Sequence, residues 1–444
     1  FRRVLFRSVA GSSRAGWVAL AIAAALGGAA ASVRAHDGVR HSPLAPGIGA
    51  HALAVLDGAA VDDADLGRFS AGLLVRVACG RGSHRTVLVR GSGADAMRLG
   101  EVRAGDRVRV EGRLAPLRGS VDRRARLRHA VARLERARLL GLAPPGGIRA
   151  GVEALRARII RGVTVLDPAH RGLLAGFLIG ETRDVPPGVA ADFRASGLSH
   201  LLAVSGANVA FVLAVVDPLL RRLGIGARTV AALLVVAAFA VMTRGEPSVL
   251  RASVLAAGSL LASAVGRPAG RLRLLAYAVT VLLIADPFLV GSVGFWLSVG
   301  ASGGIVAWSA SLARRLPGPA PVRAALAVSV AAQAGVTPVL VLVTGTVPLV
   351  APFANLLVAP VAEALGTLGL VLAAAAGFIP VLGPVVGPFV GMSTAWVGGV
   401  ARVAAAVPLT LGREAAVVVA AVVGLGVSVA CRRGSRAVPR APAG

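Results

Sequence analysis

The residues able to do chemistry gather between positions 180 and 209. They are the run Glu181-Thr182-Arg183-Asp184, then Ser199-His200, then Ser205-Gly206-Ala207-Asn208 inside an otherwise apolar stretch. On one continuous helix, Ser205 and Asn208 face nearly the same way, with His200 two turns below Asn208 on an adjacent face. Two readings stay open: these groups line an aqueous path, or they hydrogen-bond neighbouring helices as Ser, Asn and His do in any bundle. A hydrolytic Ser205–His200 pair is disfavoured, because the flanks Ala203-Val204-Ser205-Gly206-Ala207 lack a nucleophile elbow. Side chains five apart on one helix also point away from each other. Further on, Arg251 sits one turn inside a helix started by Pro247, Gln333 precedes Thr337-Pro338, and Asn355 lies between Pro352 and Pro360. A proline lacks the N–H and crowds the preceding turn, so Pro338, Pro352 and Pro360 are expected to break their helices and leave Gln333 and Asn355 beside a path. Arg251 would meet an anion there or snorkel to the interface. Asp286, before Pro287, reads as a loop residue capping a helix.

The elements that position these groups belong to a membrane. Of the 444 residues 56% are hydrophobic and 16% charged, with a mean hydropathy of +0.76, more apolar surface than one soluble core can hide. Polar groups inside membrane spans are costly unless paired or hydrated, so each is a functional candidate. The net charge is +27, from 48 basic and 21 acidic residues, and Arg supplies all of the basic ones. That balance suits a polyanionic partner and equally suits basic loops that orient spans. Without Lys there is no phosphate-binding loop ending in Gly-Lys, so any ATP-driven motor is a separate protein. Cys79 and Cys431 fall on opposite sides of the membrane and are not expected to pair. No Cys/His cluster points to a metal, and no cofactor is expected.

The expected fold is mainly α: a polytopic transmembrane helical bundle with a small exported OB-like β-barrel near the N-terminus. The chain opens on Phe1, which suggests a displaced start. Residues 1–35 read as a first span or a signal-like segment, with an apolar run behind Arg2, Arg3, Arg7 and Arg14. Residues 50–140 alternate with period two in Leu73-Leu74-Val75-Arg76-Val77, Val87-Leu88-Val89-Arg90 and Val108-Arg109-Val110, the mark of short strands, with Gly105-Asp106 as a turn. Such barrels often bind single strands, yet Phe69 is the one aromatic here and makes no stacking platform. Residues 123–138 are expected to form an amphipathic helix, lying on an anionic surface or serving as a linker. Residues 148–198 read as amphipathic helices, 199–431 as the transmembrane domain and 432–444 as a basic cytoplasmic tail. Stretches near the ~20-residue spanning length cover 200–220, 228–242, 248–265, 272–290, 295–312, 322–343, 349–378, 385–407 and 415–430, roughly nine spans. If the spans alternate, Arg221, Arg222, Arg267, Arg271, Arg273, Arg314, Arg315, Arg432 and Arg433 share one side. That side is then cytoplasmic, and the barrel lies outside.

The stretch GFLIGETRDVPPGVAADFRASGLSHLLAVSGANV resembles the signature of the ComEC-type competence (DNA-internalisation) family. Thr243-Arg244-Gly245-Glu246-Pro247-Ser248-Val249-Leu250-Arg251-Ala252 resembles the family's Gly-x-Pro-Ser-x-x-Arg-Ala element. Asp286-Pro287 with Gly294-Phe295-Trp296-Leu297-Ser298, Gln333 with Thr337-Pro338, and Asn355-Leu356 with Pro360 follow in the family's order. The resemblance covers residues 155–365. It departs at Gly206-Ala207-Asn208-Val209, where many relatives have Gly-Leu-His-Val, so a second His role does not carry over. Larger members append a metallo-β-lactamase-like domain. None of the seven histidines forms an H-x-H-x-D-H cluster, and neither that domain nor its nuclease activity is expected here.

The resemblance implies an inner-membrane channel, not an enzyme, for uptake of single-stranded transforming DNA during natural competence. Glu181, His200, Ser205, Asn208, Arg251, Gln333 and Asn355 would lie on the DNA path. Implied partners are single-stranded DNA, membrane lipids, and separate DNA-receptor and ATP-driven translocase proteins, with a homodimer left open. The alternatives are a small-solute permease, opposed by the lack of an inverted repeat, and the intramembrane serine hydrolase.

Overall fold

The computed structural model describes residues 41–412 apart from residues 68, 79–83, 120, 121, 165, 203, 205, 267–269 and 408, with a few positions before 41 and residue 414. Most of the first apolar run, both cysteines, Ser205, the stretch expected to span at 415–430 and the basic tail lie outside the described residues. The chain divides into two compact units, Phe1–Leu155 with Val279–Ser292, and Arg156–Ala278 with Val293–Gly444.

The first unit is built on strands β1 Leu53–Ala60, β2 Asp65–Leu66, β3 Ser70–Val77, β4 Thr86–Ser92, β5 Arg107–Ala115 and β6 Ala130–Ala143. Period-two patterning makes them: in β5, Val108, Val110 and Leu114 are buried while Arg107, Arg109 and Arg113 face out. The sheet runs β1-β5-β6-β4-β3-β2, and β3 also pairs with β1. Five strands thus close a ring, which removes its open edges, with β4 and β6 as the parallel neighbours. Helix α1, Ala94–Gly100, follows β4 and seats the fully buried Leu99 in the barrel core.

The helix expected over residues 123–138 needs correction. Only Arg123–Leu127 is helical, and from Ala130 the chain is β6. Its apolar positions fit periods of 3.6 and 2 alike, and the fold chooses: a strand is needed between β4 and β5, and Ala130, Ala132, Leu134 and Ala137 fill the core from it. Arg133 is thereby carried inside, where it meets Glu135 and, at 3.3 Å, the fully buried Asp122.

Asp106 lies in the tight turn before β5, after Gly105 at φ 92°, and accepts the Arg103 N–H at 2.8 Å. Burial pushes its carboxyl above the usual carboxylate range, and the like charges of Glu153 and Asp63 add to this, against the lowering effect of Arg103. The folded state then holds a proton that the unfolded chain has released. This contribution is fully present below the ordinary carboxylate value and is lost as pH rises through the raised one. Asp106→Asn keeps an acceptor for the Arg103 N–H. It is expected to flatten the decline in thermal stability as pH rises above the ordinary aspartate value of about 4, and melts of both proteins with equal slopes there would contradict this.

The second unit holds most of the helices: α2 Ile148–Arg161 (which begins in the first unit), α3 Pro168–Ile179, α4 Pro187–Ala195, α5 Ser199–Leu202, α6 Gly206–Leu220, α7 Ile225–Met242 and α8 Pro247–Ala264. After α9, Arg271–Ala285, which runs from one unit into the other, come α10 Val293–Arg315, α11 Ala320–Val343, α12 Ala351–Ala364, α13 Leu370–Phe378 and α14 Gly383–Ala405. Among the described residues six helices are long and apolar enough to cross a membrane: α7, α8, α10, α11, Ala351–Phe378 and Pro380–Ala405. Helices α6 and α9, with 15 residues each, are shorter than the spans expected there. Leu342 is 79% exposed and Val385 74%, which only a lipid surround makes inexpensive.

Helices α10 and α11 meet through small residues. A Cβ added at Gly335 would collide with the Gly300 carbonyl, and one at Gly304 with that of Ala331, the close approach that small residues permit in membranes. The prolines act differently from expectation. Pro338 and Pro360 lie inside the continuous helices α11 and α12, and Pro352 occupies the first turn of α12, where a missing N–H costs nothing. Side chains take up carbonyls in the turns around both interior prolines: Thr337 Oγ1 donates to Gln333 O at 2.8 Å and Trp396 Nε1 to Leu357 O at 3.1 Å. The irregularity falls instead at a wide π turn, Leu365–Gly369, joining α12 to α13.

Candidate membrane-embedded polar site

Helix α5 ends at Leu202 and α6 begins at Gly206, so His200 and Asn208 do not share one helix as expected. The one-helix argument about His200 and Ser205 lapses with it. The interruption exposes a backbone carbonyl, and Ser248 Oγ donates to it, at Val204 O, at 2.6 Å. Gly206 permits the packing of α6 on α8, since a Cβ there would lie 3.0 Å from the Ala252 Cβ and 3.3 Å from Arg251 Nη2. Non-helical backbone at membrane depth persists only against protein or water.

Around this break the polar side chains form three groups. In the first, His200 Nδ1 lies 3.3 Å from Gly197 O and the ring also reaches Asn355. Asn355 Nδ2 donates to Ser329 Oγ at 2.6 Å. The His200 side chain is solvent-accessible. Ser329, Gln333 and Thr337 follow at intervals of four along α11, on one face, and Gln333 Nε2 is buried with no hydrogen-bond partner among the described residues.

In the second group Arg251, only 6% exposed, donates through Nε to Ser298 Oγ at 2.9 Å and through Nη1 to Ser302 Oγ. The two serines stand four apart on α10. No carboxylate pairs with Arg251 among the described residues. Its burial shows that it does not snorkel, and among the described residues no anion compensates its charge. The third group is ionic: Glu181 lies 3.0 Å from Arg156 and 3.5 Å from Arg244. Arg156 also donates to Ile179 O at 3.0 Å and Met242 O at 2.5 Å, binding the carbonyl ends of α3 and α7, where the helix dipoles are negative.

Asn208 stands apart from these, with its Nδ2 donating to Phe177 O at 3.1 Å and its Oδ1 close to Gly366 of the wide turn. Of the residues singled out in the sequence, His200 and Asn355 are brought together, with Gln333 one turn from their partner Ser329. Glu181 is engaged by arginines, and Ser205 lies outside the described residues. Asp286 caps its turn by accepting the Phe288 N–H at 3.0 Å and also meets His129 Nε2 at 3.1 Å. Sequence reasoning missed Ser302 and Ser329, whose four-residue spacing from Ser298 and Gln333 could have shown two polar faces. It also missed Arg156, which nothing distinguished from the other arginines of α2. Among the described residues no three His, Cys, Asp or Glu gather as metal ligands.

A family model described as Competence protein matches residues 177–434. ComE operon protein 3 of Bacillus subtilis (strain 168) is 29% identical over 161 residues, which are 36% of this chain and 21% of that protein. The chain therefore spans about a fifth of the length of that relative. No solved structure matches.

Proposed function

As the chain belongs to the competence protein family, we propose that this multi-pass membrane protein is the conduit through which one strand of incoming DNA crosses the bacterial cytoplasmic membrane. A single strand is a continuous polyanion, and passage through ~30 Å of hydrocarbon calls for a hydrated, polar or positive route. The observation that carries the reading is the buried Arg251, paired with no carboxylate among the described residues, between α10 and the start of α6. The accessible His200, with Asn355 and Ser329, extends the polar surface of that region.

The barrel, on this reading, faces outward and receives the strand. Its closed five-strand ring supports an OB-type assignment, and Arg107, Arg109, Arg113 and Arg138 on its exposed surface are suited to phosphates. The drive comes from a separate ATP-dependent translocase, and delivery from a DNA receptor. Deleting the gene should leave DNA bound at the cell surface while labelled DNA no longer reaches the cytoplasm. Normal cytoplasmic entry in the deletion strain would overturn the proposal, and metabolite flux indifferent to added single-stranded DNA would replace it with a permease.

A further inference from the structure

We infer that the cleft where α2 crosses the end of α13 is a binding site for the phosphate headgroup of an anionic phospholipid. A cavity of about 320 Å³ opens there, lined by Arg158, Arg161, Gly162, Gly377, Phe378 and Pro380 among others, at the small end of the range for ligand pockets. Its wall is rigid because the backbones touch: a Cβ at Gly162 would collide with the Ala373 carbonyl, and one at Gly377 with that of Arg158.

Arg158 and Arg161 supply the charge. Among the described residues neither is paired with a carboxylate, and Arg158 is held over the Phe378 ring at 4.8 Å, leaving its fork of donors for an anion. The level of the site selects a lipid over a nucleic acid. Phe378 ends one membrane-length segment, Ala351–Phe378, and Pro380 begins the next, Pro380–Ala405, so the turn between them lies where the hydrocarbon meets the headgroups. Phe378, Ile379 and Val381 are 55%, 52% and 76% exposed. They offer acyl chains an apolar rim beside the two arginines, which a hydrated polynucleotide has no use for. The inference rests on membrane embedding and not on DNA conduction.

The test uses the full-length protein in detergent, with native mass spectrometry and thermal melts in the presence of phosphatidylglycerol, phosphatidylcholine, inorganic phosphate or a short oligothymidylate. Phosphatidylglycerol should be retained and raise the melting temperature more than phosphatidylcholine does. Arg158→Gln with Arg161→Gln should reduce that retention by about tenfold or more, and Arg161→Gln alone by less. Both arginines are exposed, so the variants should keep the parent melting temperature without lipid. Retention independent of these arginines would overturn the inference. So would inorganic phosphate acting as strongly as the lipid, or arginine-dependent binding of the oligonucleotide alone.

Discussion

Replacing Arg251 by methionine is expected to cut the entry of labelled DNA into the cytoplasm about 100-fold while surface-bound DNA and the amount of protein in the membrane stay unchanged. The magnitude follows from the interaction. A hydrogen bond to a charged group contributes about 1.5–3 kcal/mol, and about 1.4 kcal/mol is a factor of ten, so if the strand passes Arg251 as proposed, losing its guanidinium costs close to two decades. Stability should move the other way. Arg251 is buried on Ser298 and Ser302 without a carboxylate, and an apolar side chain of similar volume relieves the desolvation of its charge. A variant that melts at or above the parent temperature yet fails to conduct would separate a role in transport from a role in folding. Arg251→Lys keeps the charge and loses the planar fork that spans two serines four residues apart, so it should recover part of the flux. Undiminished entry with Arg251→Met would remove the observation on which the conduit reading stands.

Asp122→Ala should destabilise the barrel by about 3 kcal/mol, near the low end of what breaking a buried ion pair costs. Asp122 is fully buried, takes an N–H from Arg118 at 2.8 Å and lies 3.3 Å from both Arg90 and Arg133. Its removal leaves Arg133, 5% exposed, with Glu135 as its carboxylate partner among the described residues, which keeps the penalty from being larger. Limited proteolysis of the intact protein should show early cleavage within residues 107–143, and Asp122→Leu combined with Arg133→Met should restore resistance, since both charges then leave the interior. Parent-like resistance in Asp122→Ala would show the pair to be energetically idle.

Much of this architecture was legible from residue order. Exposed Leu342, Val385 and Met392 lie in stretches that composition alone assigns to lipid, and the alternation Val108-Arg109-Val110 marks a strand without reference to any partner. Local signals failed where two geometries satisfy one pattern. Residues 130–138 carry apolar positions that fit helix or strand, and the choice fell to β4 and β5, which needed a neighbour for their backbone groups. Pro338 and Pro360 look like helix breakers because a proline removes one hydrogen bond, yet both helices run on through them, held by packing against their neighbours, to which Trp396 adds a bond at Leu357 O in the same turn as Pro360. The real interruption, with Val204 outside both α5 and α6, precedes Ser205-Gly206, a turn-type dipeptide that the apolar run on either side outweighed in the sequence.

The sequence by itself determined that the chain is a membrane protein with a β-rich N-terminal region, and its ordered motifs pointed to the competence family. Those properties depend on hydropathy, periodicity and residue identity, which are local or additive along the chain. Only the tertiary structure decided which polar groups meet: Asn355 with Ser329 across 26 positions, Arg251 with Ser298 across 47, and Arg156 with Met242 across 86. Buried polar groups in a bilayer take whatever donor or acceptor the packing of other helices brings within about 3 Å, and that packing is set by contacts such as Gly300 on Gly335, whose partners are distant in sequence.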